Sequence, residues 1–143
     1  MGVRVKIKVV MASKTLETTA LVNTGYETDE PQLLVPHVFL IRNNVDLEDL
    51  GRPMTIEYDT AGGPVAMHVY PKACKVAVIE PDKISREVES DLVVSLIEKE
   101  VIMSDALIEE LGINIINPKT GLWRFTDDPP GIHRRSYKPQ LWR

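Results

Sequence analysis

The sequence predicts a mainly β domain with two short helices. Period-two alternation of apolar and polar residues recurs at residues 3–11, 54–59 and 65–69, the mark of strands with one buried face. Clusters of Gly, Pro, Asn and Asp separate these segments, as turns require. Only two places carry helix-start chemistry, Pro36 and Ser104, each directly after a short apolar run.

At the N-terminal end, Val3, Val5, Ile7, Val9 and Met11 alternate with Arg4, Lys6 and Lys8. Ala12-Ser13-Lys14 makes a turn, and residues 15–22, rich in β-branched side chains, return as the second strand of a hairpin. That strand delivers the polar turn Asn23-Thr24-Gly25. Gly25 is the residue type for a positive φ or a close backbone approach. Taken alone, Asn-Thr-Gly is also an ordinary strand-to-loop junction. Residues 26–32 are polar and acidic and read as a loop. Leu33-Leu34-Val35 is a short apolar strand, Pro36 suits a first helical turn, and residues 37–42 continue the helix to Asn43-Asn44. Residues 38–41 are apolar all round, which predicts burial, and His37 reads as a surface or capping histidine.

A second hairpin follows. Met54, Ile56 and Tyr58 form its outgoing strand, Thr60-Ala61-Gly62-Gly63 its tip with Gly-Gly as the two-residue turn, and Val65, Met67 and Val69 its return. After Pro71 the alternation shifts to Cys74, Val76 and Val78, which predicts a bulge or break. Residues 92–97 are dense enough in apolar side chains for a central strand, and Val101-Ile102-Met103 is another apolar run. Ser104 caps a helix with Asp105 in its first turn, Leu107, Ile108 and Leu111 on one face, and Gly112 as the left-handed stop. Residues 113–116 and 122–125 form a closing hairpin on which Trp123 reads as exposed or interfacial. From Thr126 no regular pattern remains. Asp128-Pro129-Pro130-Gly131 separates a body, residues 1–126, from a basic, proline-containing tail, residues 127–143.

Length and composition bound the function. The 143 residues fit one domain with a sizeable core. No apolar run reaches the roughly 20 residues of a membrane helix, and the N-terminus has no signal-peptide segment. Met1-Gly2 would open a myristoylation motif, but Lys6 stands where that motif wants Ser or Thr. The single cysteine, Cys74, cannot form an internal disulfide; it reads as a small core residue and suits a cytoplasmic compartment. The net charge of −4 is uneven. Residues 131–143 hold four of the 17 basic residues and no acid, so the first 130 set 13 basic residues against 21 acids, about −8. An acidic body argues against general nucleic-acid binding. His37, His68 and His133 have no metal-ligand spacing with Cys74 or with paired carboxylates, so no metal or cofactor is expected. There is no nucleophile elbow and no phosphate-cradling glycine loop.

Four segments in a fixed order carry more information than any one of them. Leu21-Val22-Asn23-Thr24-Gly25, Leu33-Leu34-Val35-Pro36, Thr60-Ala61-Gly62-Gly63, and Val101-Ile102-Met103-Ser104-Asp105 running on to Leu111-Gly112 follow one another along residues 3–125. In that order the chain resembles the retropepsin-like aspartic peptidases, the small single-domain forms above all. The resemblance implies a closed β-barrel half that pairs as a homodimer, each chain supplying one catalytic turn to a symmetric cleft. It implies that Asn23, Thr24 and Gly25 hold the catalytic positions, Thr24 helping to lock the two turns together. Thr60, Ala61, Gly62 and Gly63 would form the flap over an extended peptide or unfolded protein substrate bound as an added strand. Active members use two aspartates that share a proton and activate water.

Two residues depart from that pattern. Asn23 stands where the family has aspartate, and an amide can neither serve as base nor share an acidic proton. In a symmetric dimer both positions are lost together. Met103-Ser104 stands where relatives carry an apolar residue and glycine beneath the turn. Three readings follow: a retropepsin-fold dimer that no longer cleaves and either binds extended peptides or serves structurally, a peptidase whose aspartate was replaced to silence it or stop self-cleavage, and an unrelated, non-enzymatic β-rich peptide-binding or scaffold dimer.

Overall fold

The computed structural model describes residues 2–143, so the reading of Met1-Gly2 rests in part on Met1, outside the described residues. In chain order the elements are β1 (Arg4–Met11), β2 (Lys14–Val22), β3 (Gln32–Pro36), α1 (His37–Arg42), a 3-10 turn (Leu47–Leu50), β4 (Met54–Thr60) and β5 (Gly63–Glu80). They continue with β6 (Lys83–Ile84), β7 (Val88–Ser95), β8 (Val101–Met103), α2 (Asp105–Leu111), β9 (Ile113–Asn117), β10 (Leu122–Phe125) and β11 (Arg134–Arg135). The protein is mainly β, and six strands close into a barrel in the order β1-β2-β8-β3-β7-β5, with β5 returning to β1. Closure removes the open edges that would template aggregation. β4 extends from β5 as a hairpin arm, and β9, β10 and β11 form a separate small sheet.

Hydrophobic alternation sets the barrel's inside. Val5, Ile7 and Val9 of β1 are fully buried, as are Ala20 of β2 and Val76 and Val78 of β5. β3 has no exposed face. Leu33 and Val35 enter the main core, while Leu34 points the other way into a second, smaller cluster with Val69 and Val93. Burial on both faces explains why its sequence is a continuous apolar run rather than an alternating one.

Several local readings change in three dimensions. β5 does not break at Pro71. It runs through to Glu80, its register with β7 slips between Tyr70 and Cys74, and Lys72 takes a φ of +50° there. The shifted alternation therefore marks a bulge. β7 ends at Ser95, and Leu96 and Ile97 stand in solvent, 84% and 71% exposed, because the chain turns there to enter β8. In α1 only Phe39 and Leu40 are fully buried, and Ile41 is exposed, since a single-layer contact covers one side of a helix. Pro36 ends β3 and caps α1 rather than lying within it. Trp123 is fully buried, packed edge-on against Phe125 at 5.0 Å and covered by the Arg134 guanidinium.

That guanidinium belongs to the tail, which lies along its own chain. Arg134 donates to both oxygens of Asp82, at 2.7 and 3.0 Å, and of Asp128, at 2.8 and 2.9 Å. Asp128 also accepts the Phe125 N–H at 2.8 Å. Further along, Ser136 Oγ accepts from the Arg4 N–H, the Tyr137 hydroxyl donates to Glu80, and the Trp142 indole donates to Thr18. The Trp142 ring packs edge-on against Phe39 at 4.8 Å, and its backbone N–H donates to Lys99 O. No helix among the described residues is long and apolar enough to cross a membrane.

The Arg134 cluster predicts an acid-sensitive stability. Its guanidinium, helped by the Phe125 N–H, holds the nearly buried Asp128 carboxyl at a pKa of about 2. A carboxyl whose folded pKa is depressed stabilises the fold above its unfolded value near 4, and that contribution fades as pH falls toward about 2. Arg134→Met takes both bidentate hydrogen bonds from the buried Asp128 and leaves it only Lys83 Nζ, 3.8 Å away, as a cation. It should cost about 3 kcal/mol in urea unfolding at neutral pH and flatten the loss of stability between about pH 4 and pH 2. An unchanged midpoint and an unchanged acid limb would show that the cluster is not a stabilising element.

Candidate functional site

β2 ends at Val22, and the next residues close a tight turn. The Asn23 side-chain Oδ1 accepts the Gly25 N–H at 3.1 Å, and Asn23 O accepts the Tyr26 N–H at 3.1 Å. A short amide with an oxygen in reach of its own backbone two residues on is the chemistry such a turn needs. Gly25 does not adopt a positive φ. Its requirement is space: a Cβ there would sit 3.3 Å from Asn23 Oδ1 and press on the amide that holds the turn. Asn23 is half-buried, while Thr24 and Gly25 are exposed.

The turn is anchored from below by β8 and α2. Ala20, Leu21 and Val22 pair in parallel with Val101, Ile102 and Met103, which brings Ser104 beside the turn's base. Ser104 is fully buried. Its Oγ accepts from the Gln32 N–H at 3.0 Å and from the Leu107 N–H at 3.3 Å, so the hydroxyl ties β3 to α2 while capping the helix. The Asp105 N–H donates to Tyr26 O at 2.8 Å, and its carboxylate accepts from the Thr28 N–H at 2.9 Å. The backbone leaving the turn is thereby held to the start of one helix.

The β4–β5 hairpin overhangs this turn. Its turn residues are Ala61 and Gly62, flanked by the paired Thr60 and Gly63; Gly63, at φ +104°, is the residue that must be glycine. Thr60 Oγ1 donates to Gly63 O at 2.6 Å and accepts from the Gly62 N–H at 3.2 Å. Between hairpin and turn lies a cleft of about 730 Å³. Asn23 and Gly25 line one wall, Thr60 and Ala61 the other, and Leu34, Met67 and Ile102 form its floor. Of the sequence-predicted site residues, these four meet in one space; Thr24, Gly62 and Gly63 lie outside its lining.

Residues that the sequence does not single out hold the hairpin close to its tip, where Tyr58 pairs with Val65. The hydroxyls of Tyr26 and Tyr58 both donate to Gln32 Oε1, each at 2.9 Å, and the two rings meet edge-on at 6.4 Å. Burial pushes both phenols above their ordinary range, so each is a neutral donor. Gln32 is nearly buried at the head of an otherwise apolar strand. A lone amide in that position was the available signal, because a buried side-chain amide needs partners. Cys74, buried under β7, has its thiol pushed up to about 12 by desolvation, which makes it a packing residue rather than a nucleophile. No group of three His, Cys, Asp or Glu among the described residues has metal-binding geometry.

The chain matches no family model and no curated protein.

Tyr58→Phe keeps the ring contact with Tyr26 and removes one hydroxyl bond to Gln32. It should make the amides of residues 54–60 exchange with deuterium roughly fivefold faster, the equivalent of about 1 kcal/mol of lost local stability. Residues 20–22 should be unaffected. A uniform change across the chain would assign Tyr58 to global stability instead.

Proposed function

We propose that this chain is one half of a homodimeric, retropepsin-like cleft that binds extended peptide or unfolded protein and is catalytically silent because Asn23 holds the position of the catalytic aspartate. The observation that carries this reading is a single shared space: Asn23 and Gly25, at the end of a barrel strand, line the same cleft as Thr60 and Ala61 at the tip of a hairpin. A turn set in a closed barrel supplies rigidity, and a hairpin with a glycine-containing tip supplies a movable cover. Edge strand β4, free along the side that faces away from β5, offers backbone groups to an added peptide strand. Thr24 is exposed on the turn, which supports its role, in this reading, of bonding its counterpart across a two-fold axis. The buried free thiol of Cys74 suits the cytoplasm as the setting.

One turn and one hairpin per chain make half a symmetric site, so the protein should be a dimer. Light scattering at micromolar concentration should give about twice the chain mass of 16.1 kDa. A monomer across that range would remove the two-fold cleft from consideration.

Asn23→Asp tests the chemistry. The side chains are nearly isosteric, so the fold should persist. Two carboxyls facing each other at the axis cannot both ionise easily, and one apparent pKa should rise. The protein as it stands should leave denatured casein intact from pH 3 to 8, and the variant should cut it with an acidic optimum. The sign of the pH effect on assembly follows. A carboxyl whose pKa is raised in the dimer favours the dimer below its monomer value, and that contribution is lost as pH climbs through the raised value. The variant's dimer should therefore weaken as pH climbs from about 4 through that raised value, while the parent's does not. A folded, dimeric variant that cuts nothing would leave a binding or scaffold role with only architectural likeness to a peptidase.

A further inference from the structure

The floor and the rim of the cleft differ in chemistry. The floor is the smaller apolar cluster, where Leu34, Val69 and Val93 are buried and Ile56, Tyr58 and Met67 are only partly covered. The rim is made of acids. Glu57 and Asp59 on β4, Glu27 after the turn, and Glu98 in the loop after β7 line the cleft itself. An adjoining hollow of about 520 Å³ shares Glu27 and Tyr58 with it and adds Asp29, Glu30, Asp91 and Asp105. Neither space has a lysine or arginine in its lining. None of these eight acids takes part in an ion pair among the described residues. Elsewhere acids do find cations: Glu17 sits by Lys6, Glu87 by Lys8 and Glu110 by Arg86.

A concavity lined by charges of one sign focuses their field and enriches ligands of the opposite sign. An anionic segment entering it would add like-charge repulsion, and a cationic one would relieve it. The half-covered apolar floor asks at the same time for apolar side chains. An extended strand presents alternate side chains to opposite faces, so one segment can meet both demands. Resting on the peptide-cleft reading above, we propose that the cleft selects extended peptide segments in which lysine or arginine residues alternate with apolar ones.

Binding of short fluorescein-labelled peptides to the full-length protein, followed by anisotropy, tests this. Three peptides of equal length share the same apolar residues and carry lysine, glutamine or glutamate at the alternate positions. The lysine peptide should bind roughly tenfold more tightly than the glutamine peptide, which is the sum of several exposed charge contacts worth about two- to fivefold each. That advantage should shrink as salt rises from about 0.05 to about 0.5 M. The triple variant Glu27→Gln, Glu57→Gln, Asp59→Asn should lose roughly tenfold for the lysine peptide and nothing for the glutamine peptide. Glu48→Gln, Asp49→Asn, Glu109→Gln changes net charge equally outside both linings and should change neither affinity. Equal binding of the lysine and glutamine peptides would overturn the charge preference and leave the cleft reading standing. Equal losses in the two triple variants would overturn it as well, assigning the effect to net charge. Displacement by spermine at matched charge would show that charge alone is read and overturn the peptide class. Failure of all three peptides to bind would sink the peptide-cleft reading, and this inference with it.

Discussion

Three residues hold the barrel together. Val101, Ile102 and Met103 form a strand too short to persist alone, yet it is bonded on both edges, in parallel to β2 and antiparallel to β3. Val101 and Met103 are fully buried, so the ladder is protected from water on the core side. Without this strand the facing edges of β2 and β3 would be left with unpaired backbone groups inside the molecule, at a cost of about 1–3 kcal/mol for each buried group. The same three residues fix the distance between the Asn23 turn at the end of β2 and the helix that begins after Ser104. The position of the site is therefore a consequence of barrel closure.

The cleft follows from how β3 divides its side chains. Leu33 and Val35 complete the main core, and Leu34 starts a second one on the opposite face. The barrel wall thus has apolar surface on its outer side here, and the β4–β5 hairpin folds down over it. The cover is incomplete. Tyr58, two residues before Thr60, ties the outer half of the hairpin to Gln32 through a hydroxyl-to-amide bond, while the turn residues Ala61 and Gly62 beyond it are exposed. A hairpin arm held to the barrel by so few bonds is the arrangement in which local opening is separable from global unfolding.

Much of this was legible in the sequence. The strands with one wet face announced themselves by alternation, and both helices by their start chemistry; Ser104 and Gly112 cap α2 as residue type alone implies. What sequence obscured has a physical cause in each case. Trp123 sits on a short strand whose outer face looks available for solvent, and the residue that buries it, Arg134, arrives from an irregular segment with no periodic signal. Leu96 and Ile97 continue the apolar run of β7, but a run cannot say where a chain turns, and these two are left outside. In the site, the Asn23 turn and the hairpin tip were readable because turns have local chemistry. Tyr26, Gln32 and Tyr58 were not, because their partnership exists only after β3, β4 and the loop following β2 are brought together.

The tail's contacts also set a schedule for folding. The Arg4 N–H reaches its partner, Ser136 Oγ, across 132 residues of chain, and Thr18 waits for the indole of Trp142. At synthesis rates of roughly 5–20 residues per second, the first hairpin exists for on the order of 10 s before the segment that seals it has been made. During that interval the barrel strands through β8 and the capped helix α2 can assemble in order, since their partners are already present. Until residues 136–142 are made, the face of β1 and β2 that they cover, together with the ring of Phe39, has no cover from them. Residues 136–142 can thus cover that face only after every strand of the barrel has been made.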